Sequence, residues 1–115
     1  MMVLLLDNDD DFRAALAAHL TDDGHRVAEY RRSAEVPALA SLGASALIID
    51  GQLDLASGLA FADRFHAAYP AAPIVMLTAY DGLYLRAEVA QRPYITLHRK
   101  PLDYEAVAQL LPTQR

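Results

Sequence analysis

The segment that most restricts the fold is Ala-Leu-Ile-Ile-Asp, residues 46–50. Four apolar residues end directly in a carboxylate, and Gly51 allows the chain to turn at once. A short, uninterrupted apolar run is typical of a strand buried on both faces of a parallel sheet. Ligands of such sheets bind beyond the carboxyl ends of the strands. Asp50 is therefore either the start of a polar loop or a residue placed for chemistry, and the other strand ends bear on that choice.

Four further segments have the length and composition of strands. Val3–Leu6 and Pro73–Leu77 are apolar throughout, whereas Arg26–Tyr30 and Ile95–Arg99 are more polar. We expect the apolar strands to be central and the polar strands to lie at the edges. With right-handed crossovers, this predicts an α/β, flavodoxin-like (βα)5 doubly wound fold with a five-stranded parallel sheet of order 2-1-3-4-5.

Apolar residues at helical spacing follow every strand and predict five helices. Asp10 or Asp11 can cap the first helix, and Gly24 ends it. The second is expected to run from Ser33 through Leu42, and a loop to Gly58 precedes the third. The remaining two are predicted at 83–91 and after Asp103, which can cap the last helix.

Composition excludes several classes of protein. The 115 residues suit one domain, which we expect to span 1–115 without an output domain. A net charge of −5 argues against direct nucleic-acid binding, and the absence of cysteine excludes disulfides and thiolate metal sites. No apolar run is long enough for a membrane helix, so the cytoplasm is the expected location. The four histidines are scattered, and we expect neither a metal role nor a phosphohistidine role for them.

Polar residues end four of the predicted strands. Asp7, Asp50, Thr78 and Lys100 follow the first, third, fourth and fifth strands, so all four should lie at one edge of the sheet. Each alone is an ordinary surface residue, and only their joint occurrence suggests a site. Neighbouring carboxylates without cysteine favour Mg²⁺, and a carboxylate can also accept a phosphoryl group. A lysine ammonium and a threonine hydroxyl could then neutralise and bind the phosphoryl oxygens.

The four motifs together resemble the receiver domain of bacterial two-component response regulators. Leu-Leu-Leu-Asp7, Leu-Ile-Ile-Asp50, Met-Leu-Thr78-Ala and Arg-Lys100-Pro101 stand in that family's order and spacing, and the resemblance extends from Val3 to about Leu111. It implies that Asp50 accepts phosphate from a histidine kinase, a phosphotransfer protein or a small phosphodonor. It also implies that Thr78 moves toward the phosphate and that Lys100 binds it.

The resemblance further implies a metal site and partners. Mg²⁺ would be held by Asp7, Asn8, Asp50 and the backbone carbonyl of Gln52. The signal would pass to a downstream protein or output domain, or to a homodimer formed through the fourth helix, fifth strand and fifth helix. The chain would be a signalling domain rather than an enzyme, with only self-phosphorylation and self-dephosphorylation chemistry.

Two departures from the family pattern concern metal binding and switching. Asn8 stands where the family usually has a second acidic residue, and Leu97 stands where an aromatic switch residue is common. Tyr94 cannot replace that aromatic on a regular strand, because an offset of three residues places it on the opposite face.

These departures keep two alternatives open. A pseudo-receiver would act as an interaction module without phosphorylation, which Asn8 and Leu97 favour. A phosphohydrolase resembling the haloacid dehalogenases would use Asp7 as nucleophile and Asp9 as acid. The sequence fits that second group poorly, since Asp11 stands where it has Thr or Val.

Overall fold

The computed structural model describes residues 1–51, 55–79, 82–100 and 103–111. Its five strands are all parallel and are ordered β2-β1-β3-β4-β5, which confirms the predicted topology. The strands are β1 (Met2–Leu6), β2 (Arg26–Tyr30), β3 (Ala46–Asp50), β4 (Ile74–Thr78) and β5 (Ile95–Arg99). The apolar strands β1, β3 and β4 are central, because only there are both faces covered.

Four α-helices lie in the described residues. They are α1 (Asp10–Asp22), α2 (Leu55–Ala68), α3 (Leu83–Ala90) and α4 (Tyr104–Gln109). The predicted helix between β2 and β3 is wrong, since that segment forms two short 3₁₀ turns at Ser33–Glu35 and Leu39–Ser41. Pro37 explains this result. It lacks an N–H group and forces the preceding residue, Val36, into an extended conformation (φ −75°, ψ 129°).

The ends of two helices also differ from the prediction. Asp9, rather than Asp10 or Asp11, caps α1 by accepting a hydrogen bond from the N–H group of Phe12 at 3.1 Å. Gly58 lies inside α2 rather than in the loop before it. The predicted end of α1 is confirmed, because Gly24 adopts a left-handed conformation with φ 93° directly after the helix.

The sheet separates two hydrophobic cores. Alternate residues of β1 and β3 point to opposite faces, so that Leu4 and Leu6 join one core while Val3 and Leu5 join the other. The first core also contains the apolar faces of α2 and α3, and the second contains those of α1 and α4. Within the described residues, no helix has the length and apolar character needed to cross a membrane.

Candidate functional site at the carboxyl edge of the sheet

Three polar side chains are buried at the carboxyl ends of the central strands. Asp50 is the last residue of β3, Asp7 directly follows β1, and Thr78 is the last residue of β4. Their exposed fractions are 4%, 2% and 0%. Residues of these types are rarely buried so completely, and buried carboxylates are normally paired. The parallel sheet brings them to one edge because every central strand ends there.

Lys100 contacts both carboxylates. Its Nζ atom lies 2.9 Å from Oδ2 of Asp7 and 3.9 Å from Oδ1 of Asp50, and its side chain is only 13% exposed. The backbone N–H of Lys100 donates to the carbonyl of Thr78 at 2.7 Å, which fixes the end of β5 beside the end of β4. The ammonium also lies 4.3 Å from the ring centroid of Phe12, a cation–π contact that further restricts it.

This cluster brings two carboxylates together in a largely buried environment. The ammonium group of Lys100 contacts both of them. Carboxylates that share one cation repel each other, and the longer of the two lysine contacts is at the limit of an ion pair. A hard divalent cation with oxygen ligands would relieve this repulsion. The donor set at the edge therefore fits Mg²⁺.

The backbone and α1 hold Asp7 in position. Its Oδ1 atom accepts a hydrogen bond from the N–H of Asp9 at 2.8 Å, and its carbonyl accepts one from Nη1 of Arg13 at 2.7 Å. Arg13 also bonds Asp10 at 2.9 Å, and this hydrogen bond lowers the pKa of the Asp10 carboxyl below its ordinary value. Sequence reasoning missed the roles of Phe12 and Arg13, because their partners are set by the docking of α1 rather than by any local motif.

Gly51 permits the ends of β3 and β4 to approach closely. A Cβ atom at this position would lie 3.1 Å from Cβ of Thr78 and 3.3 Å from side-chain atoms of Met76 and Leu85. The backbone of Gly51 also donates to the carbonyl of Leu77 at 2.8 Å. The glycine after Asp50 is therefore explained by close packing against β4 and α3.

Comparison with known proteins identifies the family of this chain. The family model described as "Response regulator receiver domain" matches residues 3–111. The chain belongs to this family. No curated protein sequence is significantly similar to it.

Solved structures of receiver domains share the fold. One is a response regulator from Burkholderia pseudomallei, which was solved with a phosphorylated aspartic acid, a calcium ion and citrate. It is 24% identical to this chain, with a TM-score of 0.81, and the match covers 97% of this chain and 66% of that one. This chain thus spans about two thirds of that protein's length. The chemotaxis protein CheY4 of Vibrio cholerae is 24% identical with a TM-score of 0.77, over 95% and 93% of the two chains. A CheY-like receiver domain from Methanospirillum hungatei is 16% identical, with a TM-score of 0.84 over 95% and 88%.

The remaining predicted site residues of this receiver domain are not part of the buried contacts described above. Asn8 directly follows Asp7 but is exposed, and Gln52 lies outside the described residues. Leu97 is half-buried on β5 and packs against the core formed with α2 and α3. The expected opposite placement of Tyr94 is wrong. Tyr94 packs against the same core as Leu97, because it precedes β5 and does not follow the alternation of a regular strand.

The histidines are dispersed in the receiver domain, as expected. His19 on α1 lies 3.1 Å from Glu105 and 3.7 Å from Asp23. His66 on α2 stacks on Tyr94, with ring centroids 3.9 Å apart and planes within 4°. Neither pair includes Asp7, Asp50 or Lys100. Asp9, the acid of the phosphohydrolase alternative, serves instead as the cap of α1.

Proposed function

We propose that this receiver domain is phosphorylated on Asp50 by a histidine kinase, a phosphotransfer protein or a small phosphodonor in the cytoplasm. The observation that supports this most directly is the position of Lys100 Nζ, 2.9 Å from Asp7 and 3.9 Å from Asp50 at the ends of two central strands. An ammonium between two buried carboxylates suits the binding of phosphoryl oxygens, which carry the negative charge during transfer.

The proposed reaction is a direct displacement at phosphorus. A carboxylate oxygen of Asp50 forms a bond to the phosphorus atom while the bond from phosphorus to the donor breaks. The donor atom, an imidazole nitrogen or an acyl phosphate oxygen, leaves with the bonding electron pair. Lys100 neutralises charge on the transferred group, and the hydroxyl of Thr78 is the candidate donor of a hydrogen bond to it.

The oxygen-rich edge fits Mg²⁺ as the cofactor. Asp7, Asp50 and the side-chain carbonyl of Asn8 would hold the ion, together with the backbone carbonyl of Gln52 from outside the described residues. The ion would supply neutralisation of the phosphoryl charge. The amide of Asn8 provides one negative charge less than the family's usual acid, and we therefore expect weak binding.

Signal output is proposed to follow the family's general route. Leu97 lies on β5, within the region formed by α3, β5 and α4, and Thr78 at the end of β4 pairs with Arg99 of β5. This region is the proposed contact surface for a downstream protein, an output domain or a second copy of the chain. Leu97 has no ring and no hydroxyl, so its response to phosphorylation should be smaller than that of an aromatic residue.

Intact-mass measurement with acetyl phosphate and Mg²⁺ tests this function. We expect the wild-type chain to gain the mass of one phosphoryl group, and Asp50→Asn to gain none. Asp63→Asn on α2 is the matched control, since it makes the same chemical change at a carboxylate that pairs with Arg92 instead. The control should be phosphorylated like the wild type.

Two results would contradict the proposal. Phosphorylation of Asp50→Asn to the wild-type extent would place the phosphoacceptor elsewhere. No mass gain in the wild type, together with no gain when a phosphorylated kinase domain is the donor, would favour the pseudo-receiver alternative that Asn8 and Leu97 suggest.

A further inference from the structure

A pocket lies on the β2 side of the phosphorylation site. Its volume is about 330 Å³, and its lining includes Asn8, Arg31, Arg32, Ser33, Ser57 and Gly58. Asn8 follows β1, the residues from 31 to 33 follow β2, and the last two belong to the first turns of α2 after β3. The pocket therefore opens at the carboxyl edge of the sheet, where ligands of this fold class bind, but it is displaced from Lys100 toward the edge strand.

The chemistry of the pocket lining favours an anion. Among its described lining residues there are two guanidinium groups and none is acidic. The other polar lining groups are an amide and two serine hydroxyls, all of which can donate hydrogen bonds. Guanidinium groups bind phosphate and carboxylate oxygens in pairs, which makes arginine the usual residue for recognising such anions.

The loop that carries the two arginines is held in place before any ligand binds. The backbone N–H groups of Arg31 and Arg32 both donate to Oε1 of Glu35, at 3.0 and 3.1 Å. Nε of Arg31 lies 3.1 Å from Oδ1 of Asp10, whose carboxylate is shared with Arg13. These contacts use the carboxylates of Glu35 and Asp10 to orient the loop, and the described lining residues include no acidic side chain. A preordered loop lowers the entropic cost of binding.

The start of α2 contributes a second favourable feature. Ser57 and Gly58 lie in the first turns of a 14-residue helix, where the helix dipole favours negative charge. Gly58 has no side chain to separate the backbone from the pocket. The first turns of α2 and the two arginines thus line the same cavity, and both favour a negatively charged ligand there.

We propose that this pocket binds a small, multiply charged oxyanion, of the size of pyrophosphate or citrate, as a second ligand site beside the phosphorylation site. Its volume is at the lower end for ligand pockets, which suits such an anion. The shared chemistry is two or more anionic oxygen groups on a compact molecule, carried by phosphates or by carboxylates. The two arginines that would bind the anion have no part in the proposed phosphorylation of Asp50, whereas Asn8 borders both sites.

Amide NMR titration without Mg²⁺ tests the site. Pyrophosphate and citrate are added separately at constant ionic strength to the wild-type chain and to Asp50→Asn. We expect saturable shifts confined to Asn8, to residues 31–34 and to Ser57 and Gly58, equal in the two proteins. Saturation by pyrophosphate alone assigns a phosphate ligand, by citrate alone a polycarboxylate, and by both a general oxyanion site.

Two arginine variants separate specific binding from simple attraction of charge. Arg32→Gln should weaken binding about tenfold, as expected for the loss of a charge-assisted pair of hydrogen bonds. Arg64→Gln is the matched control, because Arg64 is exposed on α2 and lies 5.5 Å from the ring centroid of Phe61 rather than in the pocket. Unsaturable shifts with both anions, or equal weakening by the two variants, would overturn the proposal.

Discussion

Two charged clusters of this receiver domain contain the same formal charges in different surroundings. The carboxyl-edge cluster consists of Asp7, Asp50 and Lys100. The amino-edge cluster consists of Asp63, Glu88 and Arg92, near the start of β5. Each has two carboxylates and one cation, yet Asp7 and Asp50 are 2% and 4% exposed, whereas the side chains of Asp63 and Glu88 are 41% and 27% exposed.

The charged groups of the amino-edge cluster are stabilised by well-aligned hydrogen bonds and by contact with water. Nε and Nη2 of Arg92 donate to the two carboxylate oxygens of Asp63 at 2.9 and 3.2 Å, and Nη1 reaches Glu88 at 3.1 Å. The hydroxyl of Tyr94 donates to Asp63 as well. The hydrogen bond from Arg92 lowers the pKa of Asp63, while burial raises the pKa of Tyr94. This cluster ties α2 to the segment between α3 and β5.

The comparison shows that burial, rather than charge count, distinguishes a candidate site from a structural contact. Water screens the excess negative charge near Asp63 and Glu88. At the carboxyl edge, the two carboxylates are largely removed from water, and one of the two contacts that Lys100 makes with them is long, at 3.9 Å. A buried cluster of this kind is stabilised most by binding a cation between its carboxylates, or by a phosphoryl group whose oxygens contact Lys100.

The largest expected difference concerns stabilisation by Mg²⁺. At a concentration about a hundredfold above the dissociation constant, Mg²⁺ should raise the free energy of unfolding of the wild type by about 2.7 kcal/mol. Asp7→Asn and Asp50→Asn should lose most of this gain, whereas Asp63→Asn should keep it. Urea unfolding with and without the ion measures the effect. Equal gains in all four proteins would place the metal away from the carboxyl edge.

In the absence of a metal, Asp50→Asn and Asp63→Asn should have opposite effects on the free energy of unfolding. Asp50→Asn removes a buried like charge and should raise the free energy of unfolding by about 1 kcal/mol. Asp63→Asn removes the acceptor of a two-pronged arginine contact and should lower it by about 1 kcal/mol, after allowance for solvent screening. Urea unfolding at low ionic strength provides the measurement. Changes of the same sign would remove the proposed distinction between the clusters.

Asn8→Asp should change Mg²⁺ binding at the carboxyl edge and leave the amino-edge cluster unaffected. The added carboxylate is expected to tighten Mg²⁺ binding about fivefold, which corresponds to about 1 kcal/mol. Isothermal titration measures the affinity, and Asn8→Ser provides a neutral control. If Asn8→Asp binds Mg²⁺ no more tightly than the wild type, Asn8 is not a ligand position.

The smallest expected effect is the pH dependence of the amino-edge cluster. The pKa of Asp63 is lower in the folded than in the unfolded chain, so its contribution is present above the unfolded value of about 3.9 and is lost as the pH falls through the folded value. The stability difference between the wild type and Asp63→Asn should therefore shrink as the pH falls from about 5 to about 3. A difference that stays constant over this range would show that ionisation of Asp63 contributes nothing.

Local sequence patterns were sufficient to predict the strand order of the sheet and the edge of the sheet at which the candidate site lies. Strand order followed from the contrast between the apolar segments at 46–50 and 74–77 and the polar segment at 26–30, because only central strands are buried on both faces. The positions of Asp7, Asp50, Thr78 and Lys100 at strand ends followed from the same runs. The failure between β2 and β3 was also local in origin, since Pro37 disrupts a helix that the spacing of Val36, Leu39 and Leu42 favours. Those three residues still pack against the core.

Only the tertiary structure determined which groups contact one another at that edge. The contacts of Lys100 with Asp7 and with Phe12 join residues far apart in sequence, and they depend on the docking of α1 beside the end of β5. The pairing of Asp63 with Arg92 likewise depends on how α2 meets the segment before β5. Burial depends on every element that surrounds a group, whereas strand and helix patterns depend on near neighbours. The sequence alone therefore determined where the charges lie along the chain, and folding determined which of them lose their water.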